Sequence, residues 1–184
     1  MKTCLETWQL MSELSAQGAV RNFTQEISMT DYTVETDMFP IEVLEAYSSY
    51  NLGHPIPKEN EVYFNSQRGG KQGDYRDGMQ EKIANVVDCL KNYPESKRAV
   101  ITIPNNSKPS HQSDDDAKCM REIHFYREGN KLCASVLFRA QAAQIFPKNI
   151  HFIGALMSEV AGHFEGLGLG SLFYHSTVLV SDRS

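Results

Sequence analysis

Basic residues are in short supply. Eighteen lysines and arginines stand against 23 aspartates and glutamates, a net charge of -5 with a pI near 5.7. A generic nucleic-acid surface needs a basic excess and is not expected, although a local anion pocket is compatible with this balance. Long hydrophobic runs are also missing. The longest apolar-leaning stretch, Ile150 to Val160, is too short to span a bilayer and contains Ser158 and Glu159, so no membrane association is expected. Only four cysteines occur, Cys4, Cys89, Cys119 and Cys133. None forms a C-x-x-C pair, no His/Cys cluster has zinc-finger spacing, and no two histidines sit at i, i+4, so no metal site is expected. Such sparse cysteines read as reduced thiols rather than a disulfide framework. Met1 to Trp8 holds no basic segment followed by an apolar run. The expected location is therefore cytoplasmic, and the sequons at Asn22 and Asn105 lose their meaning. What remains is 184 residues, 41% hydrophobic and 22% charged. That is enough for one domain, 1–184, with a real core.

Apolar spacing supplies the elements. Leu5, Trp8, Leu10, Met11 and Leu14 predict an amphipathic helix over 3–14. Strand-like pieces fall near 25–35, and a helix is expected from Ile41. Gly, Pro, Asn and charge make 51–78 a loop region. Met79, Ile83, Val86, Val87 and Leu90 predict a helix over 79–92, ended by Pro94. Arg98 to Ile103 reads as a strand. Residues 104–118 form a second loop, whose Asp114-Asp115-Asp116 run is a solvated stretch before it is a metal site. Two strands, 120–127 and 131–139, flank a turn at Glu128-Gly129-Asn130. Ile150, Ile153, Met157, Val160 and Phe164 predict a buried helix over 149–164. The glycines 166–170 follow a helix and precede a strand over 171–180, so they mark a helix exit rather than a nucleotide loop. The whole is α+β, with a sheet of sequential strands flanked by helices. Trp8, Phe125, Tyr126, Phe138 and Phe152 read as core.

With a three-residue turn, Arg127 pairs with Lys131 and Cys119 falls opposite Arg139. A cation beside a cysteine favours the nucleophilic thiolate. Lys118 and Arg121 add positive charge.

Several motifs around this hairpin recur in a known order. The 79–92 helix is followed by Pro94-Glu95-Ser96-Lys97-Arg98, and the next strand ends Ile103-Pro104-Asn105. Lys118-Cys119-Met120 leads into His124-Phe125-Tyr126. After the turn come Lys131-Leu132, then Phe138-Arg139-Ala140, then Pro147-Lys148-Asn149-Ile150. In this order and spacing the chain resembles the thymidylate synthase superfamily, which includes pyrimidine nucleotide hydroxymethylases. The resemblance implies a mixed sheet flanked by helices, with sheets packing at a dimer interface. It implies an enzyme of the methyltransferase or hydroxymethyltransferase kind. Cys119 would add to C6 of a pyrimidine nucleotide and so activate C5 for one-carbon transfer, methylenetetrahydrofolate being the family's donor. Arg139, Arg98 and Lys97 would hold the phosphate, the latter two reaching a partner's site, and Asn149 would read the pyrimidine edge. A homodimer or heterodimer follows.

The pattern also departs from the family. Lys118 replaces a proline, Met120 a histidine, Ala140 a serine and Ala142 an aspartate. The family's ribose-gripping H-x-Y falls at Val180 and Asp182, with Tyr174 and His175 in a different register. Arg21 is the one candidate for a phosphate-loop arginine. Glu42 and Glu45 are the best candidates for the general acid/base glutamate. Losing several buried partners together weakens discrimination for the usual nucleotide. The alternative is a non-catalytic homologue, serving as a binding module or a heterodimer subunit.

Overall fold

A computed structural model describes residues 1–64, 68, 73–103 and 118–182. Helix α1 (Cys4–Ser15) opens on a capping box. The Glu6 amide donates to Thr3 Oγ1 at 3.1 Å, and the Thr3 amide donates to Glu6 Oε2 at 2.7 Å, so two otherwise unpaired donors are satisfied together. Its buried stripe is Cys4, Thr7, Met11 and Ser15, not the leucines: Leu5 and Leu14 are exposed. Burial drives the Cys4 thiol up to about 12, with Asp31 adding to the effect.

Strand β1 (Val20–Ser28) and helix α2 (Ile41–Asn51) follow. The expected 51–78 loop is broken by a 3-10 turn at Lys58–Phe64. Helix α3 (Met79–Asn92) buries the predicted stripe Met79, Ile83, Val86, Val87 and Leu90. Strand β2 is only Val100–Thr102. The Asp114–Asp116 run and the rest of 104–117 lie outside the described residues.

Strands β3 (Met120–Glu128) and β4 (Lys131–Phe138) form the hairpin. A short β5 (Gln141–Ala142) leads into helix α4 (Phe146–Ala161), and β6 (Gly168–Val180) ends the order. Helix α4 starts three residues before the expected 149, because Pro147 sits in its first turn, where a missing N–H is harmless.

The sheet is six-stranded, mixed and open, in the order β1-β6-β4-β3-β2, with β5 pairing to β6. Its strands are therefore not sequential neighbours throughout. The first strand pairs antiparallel with the last, through Phe23↔Ser176 and Ile27↔Leu172. Strands β4 and β6 run parallel, which demands a crossover connection, and α4 supplies it. That explains why α4 is buried almost all round, including Ile150, Phe152, Ile153, Leu156 and Met157. The inward side chains of the sheet, among them Ile123, Phe125, Ala134, Val136, Leu172 and Tyr174, join this helix in one core cluster.

The opposite face carries half-exposed cross-strand rows. One row runs Val100, His124, Ser135, Phe173, Glu26. Phe173 is 45% and Val100 41% exposed. Tyr126 belongs to this face and is only half-buried, so it is not core as expected.

Candidate functional site

The hairpin sets the site. Glu128 pairs with Lys131 and Arg127 with Leu132, so the turn holds two residues, not three. Gly129 has φ 58°, the positive value required at the first position of a type II′ turn. That one-residue difference alone would slide Cys119 off Arg139. A bulge at Arg121 takes it up: Glu122 faces Leu137, but Met120 faces Phe138. One step further, Cys119 stands opposite Arg139, whose amide donates to the Cys119 carbonyl at 2.8 Å.

Cys119 is half-buried and packs against the core cluster. Three tyrosines lie close enough to feel its charge, Tyr47, Tyr75 and Tyr174. Burial raises all three hydroxyls above the usual phenol value. The Cys119 charge pushes each further in the same direction, as does the Tyr75 charge at Tyr47 and Tyr174. They are neutral hydrogen-bonding groups at any ordinary pH.

Each phenol is placed by a specific contact. The Met120 amide donates to Tyr75 Oη at 3.3 Å, and the Tyr75 ring stacks on Phe152 with centroids 5.7 Å apart. Asn51, fully buried at the end of α2, ties Tyr75 to that helix: its Oδ1 accepts from the Tyr75 amide at 2.6 Å, and its Nδ2 donates to the Tyr47 carbonyl at 3.2 Å. Tyr174 stacks on Phe138 at 5.2 Å and donates to Gln141 Oε1 at 2.7 Å.

The same Gln141 oxygen accepts from Asn149 Nδ2 at 2.9 Å. Gln141, Asn149 and Tyr174 are all buried. Asn149 Oδ1 has no hydrogen-bond partner among the described residues. A buried acceptor left unmade is costly and calls for an explanation.

A cavity of about 300 Å³, lined by Asp74, Tyr75, Arg76, Asp77, Lys82, Ile103 and Lys118, touches the hairpin end through Tyr75 and Lys118, not through Cys119 or the Gln141–Asn149–Tyr174 network. It lies at the lower end of the size range for ligand pockets. A larger groove, about 1040 Å³, includes Lys97 and Arg98 with the end of α3. These two cations are exposed and do not reach Cys119 within one chain. Ile103, whose amide meets Arg121, is separated from Arg98 by five residues of near-extended backbone, about 16 Å.

The sequence candidates therefore divide. Cys119 and Arg139 are brought together, with Asn149 in the buried network behind them, while Lys97 and Arg98 stand apart. Glu42 and Glu45 are exposed on the outer side of α2, and Tyr47 occupies its inward side, so neither glutamate reaches the site. Arg21 is exposed on β1 opposite Val178. Val180 ends β6 and Asp182 is exposed, whereas Tyr174 lies in the site. Sequence reasoning missed Gln141, Tyr75, Tyr47 and Lys148. Gln141 offered one usable signal, a polar residue between two alanines, Ala140 and Ala142.

In comparisons with known proteins, no family and no curated protein matches the chain.

Proposed function

We propose that the chain is a diverged, thymidylate-synthase-like enzyme in which the Cys119 thiolate adds to C6 of a pyrimidine nucleotide or related ring and activates C5 for one-carbon transfer. One observation carries this reading. Cys119 is paired through the backbone with Arg139 and backed by the buried Gln141–Asn149–Tyr174 network, whose Asn149 oxygen lacks a partner. A thiolate supplies the nucleophile, and a guanidinium fork suits the phosphate. An amide with a spare acceptor suits the edge of a base. Gln141 and Tyr174 bring polarity to a site where Ala140 and Ala142 have removed it. A folate is the carbon donor consistent with the resemblance.

The same reading assigns the open sheet face to a second copy of the chain or to a related subunit. A parallel pair such as β4–β6 is ordinarily covered on both faces. Two imidazole nitrogens on this face, His124 Nε2 and His175 Nε2, are shut off from water and lack partners among the described residues. A facing subunit would also bring its own Lys97 and Arg98.

The test is proton exchange at C5. The protein is mixed with dUMP, dCMP, UMP and CMP in heavy water, and loss of the C5 proton is followed by NMR. Exchange that vanishes in Cys119→Ala supports addition at C6 and identifies the nucleotide. No exchange and no binding with any of the four overturns the reading. Binding without exchange favours the second reading, a non-catalytic homologue paired with a complete partner. The separation of Lys97 and Arg98 from Cys119 within one chain is common to both readings, since in each a facing subunit supplies them.

A further inference from the structure

We infer that Lys148 is a second functional group of the Cys119 site, a fixed buried cation that stabilises negative charge on what binds or forms at the thiol. The inference takes from the reading above only that Cys119 is the reacting residue.

Lysines are almost never fully buried without a purpose or a partner, and Lys148 is 1% exposed. It also lies in the first turn of α4, at the positive end of the helix dipole, where a cation is disfavoured. Two costs thus fall on one side chain. The surroundings are shaped to hold it nonetheless. Lys148 Nζ donates to Tyr47 Oη at 3.1 Å and lies 4.3 Å from the centre of the Tyr47 ring. Tyr47 Oη in turn donates to the Gly73 carbonyl at 2.7 Å. A Cβ at position 73 would collide with Lys148 Nζ and with Tyr47 Oη, so the glycine keeps the room that the amine occupies. Three separate pieces of chain, α2, the segment before α3 and α4, converge on this nitrogen. Tyr47 and Tyr75 pack on the same Phe152 ring, with centroids 6.4 Å and 5.7 Å away, and Tyr75 Oη accepts from the amide of Met120, the residue next to Cys119, which brings the pair toward the same site. Asn149, with its unpartnered oxygen, is the next residue along the helix.

An ammonium donates hydrogen bonds and accepts none. Its partner on a ligand is therefore a carbonyl, carboxylate or enolate oxygen, not an amino group. When the thiolate adds to a uracil-type ring, the S–C6 bond forms and the C5=C6 electron pair moves through C4 onto the exocyclic C4 oxygen. Lys148 would meet the charge that develops there in a site sheltered from water. Departure of the thiolate returns the pair, and no other reactant is consumed.

The experiment reads the local potential at Cys119 without any nucleotide. Alkylation of Cys119 is followed peptide by peptide in a mass spectrometer, with anionic iodoacetate and neutral iodoacetamide. The ratio of the two rates rises with positive potential at the thiol. Lys148→Met is expected to lower that ratio severalfold, because a nearby unit charge is lost from a site of low effective dielectric. Lys148→Gln, which keeps a donor for Tyr47 but no charge, must lower it too. Tyr47→Phe, which leaves the charge, must not. A ratio unchanged in folded Lys148→Met and Lys148→Gln overturns the inference, and a loss of melting temperature without a change in ratio marks Lys148 as structural. A lowered ratio with no C5 exchange would leave Lys148 its role and overturn only the pyrimidine reading.

Discussion

Acid should loosen the seam that carries the site, and His151 sets the pH at which it does. This side chain on α4 is 7% exposed. Its Nδ1 shares a 2.7 Å hydrogen bond with Ser48 Oγ on α2, and its ring meets Tyr32 edge-on with centroids 5.2 Å apart. Burial disfavours the imidazolium and pulls His151 from 6.5 down to about 4. The folded protein thus keeps the ring neutral while the unfolded chain takes up a proton first. The resulting stability is fully present above about pH 6.5 and is lost as pH falls toward 4. At 1.36 kcal/mol per unit, the whole shift is worth about 3 kcal/mol, of which about 2 kcal/mol is lost between pH 7 and pH 5. Urea unfolding at a series of pH values measures it, with His151→Gln as the comparison, since glutamine offers Ser48 a polar partner and does not titrate. The wild-type curve should fall by about 2 kcal/mol more than the variant's over that interval. Parallel curves would show that His151 is charged or solvated in the folded protein and would refute the reasoning.

Three further outcomes are expected. Gly154→Ala places a methyl group into the Tyr32 ring, and the displacement should destabilise the protein by about 1–3 kcal/mol in thermal or urea unfolding, despite alanine's better helix propensity. Phe173→Asp puts a charge on the open sheet face and should shift a dimer to monomers in sedimentation, with little change in the unfolding of the monomer; an unchanged sedimentation profile would remove that face as the interface. Arg139→Ala should weaken nucleotide binding by roughly 10- to 100-fold in calorimetry, the range for charge-assisted hydrogen bonds. Unchanged affinity would sink the phosphate assignment.

The elements were legible where burial follows a simple period. Met79, Ile83, Val86, Val87 and Leu90 make one stripe, and that stripe is buried. Helix α1 was legible as a helix but not in its orientation. The face it packs on the sheet carries Cys4, Thr7, Met11 and Ser15, while Leu5 and Leu14 stay exposed, so the buried stripe is offset from the one the leucines suggest. The strand order was not legible at all. Pairing of β1 with β6 joins residues about as far apart as the chain allows, and no local pattern encodes that distance.

The site shows why a wrong intermediate step can leave a right contact. Reading a three-residue turn put Cys119 opposite Arg139, but the turn has two residues and the bulge at Arg121 restores the pairing. A bulge adds one residue to one strand, so it cancels a turn that is one residue shorter, and the sequence shows neither change by itself. Beyond the hairpin, the polar groups around Cys119 come from α2, from the segment before α3, from β5, from α4 and from β6. Tyr47 is one of two nearby tyrosines on α2, yet only it points inward and meets Lys148. Asn51 then fixes Tyr75 from the end of the same helix. These residues lie up to about a hundred positions from their partners, as Lys148 does from Tyr47, and their types alone do not distinguish them from surface polar residues. What distinguishes them is burial, and burial is set by a crossover that the sequence does not announce. A chain that buries a lysine, two asparagines, a glutamine and three phenols near this end of the hairpin carries a recurring desolvation cost for each. Packing alone would have been served by apolar side chains of the same size, so the concentration of polar groups around Cys119 is itself an argument that this end of the hairpin binds something.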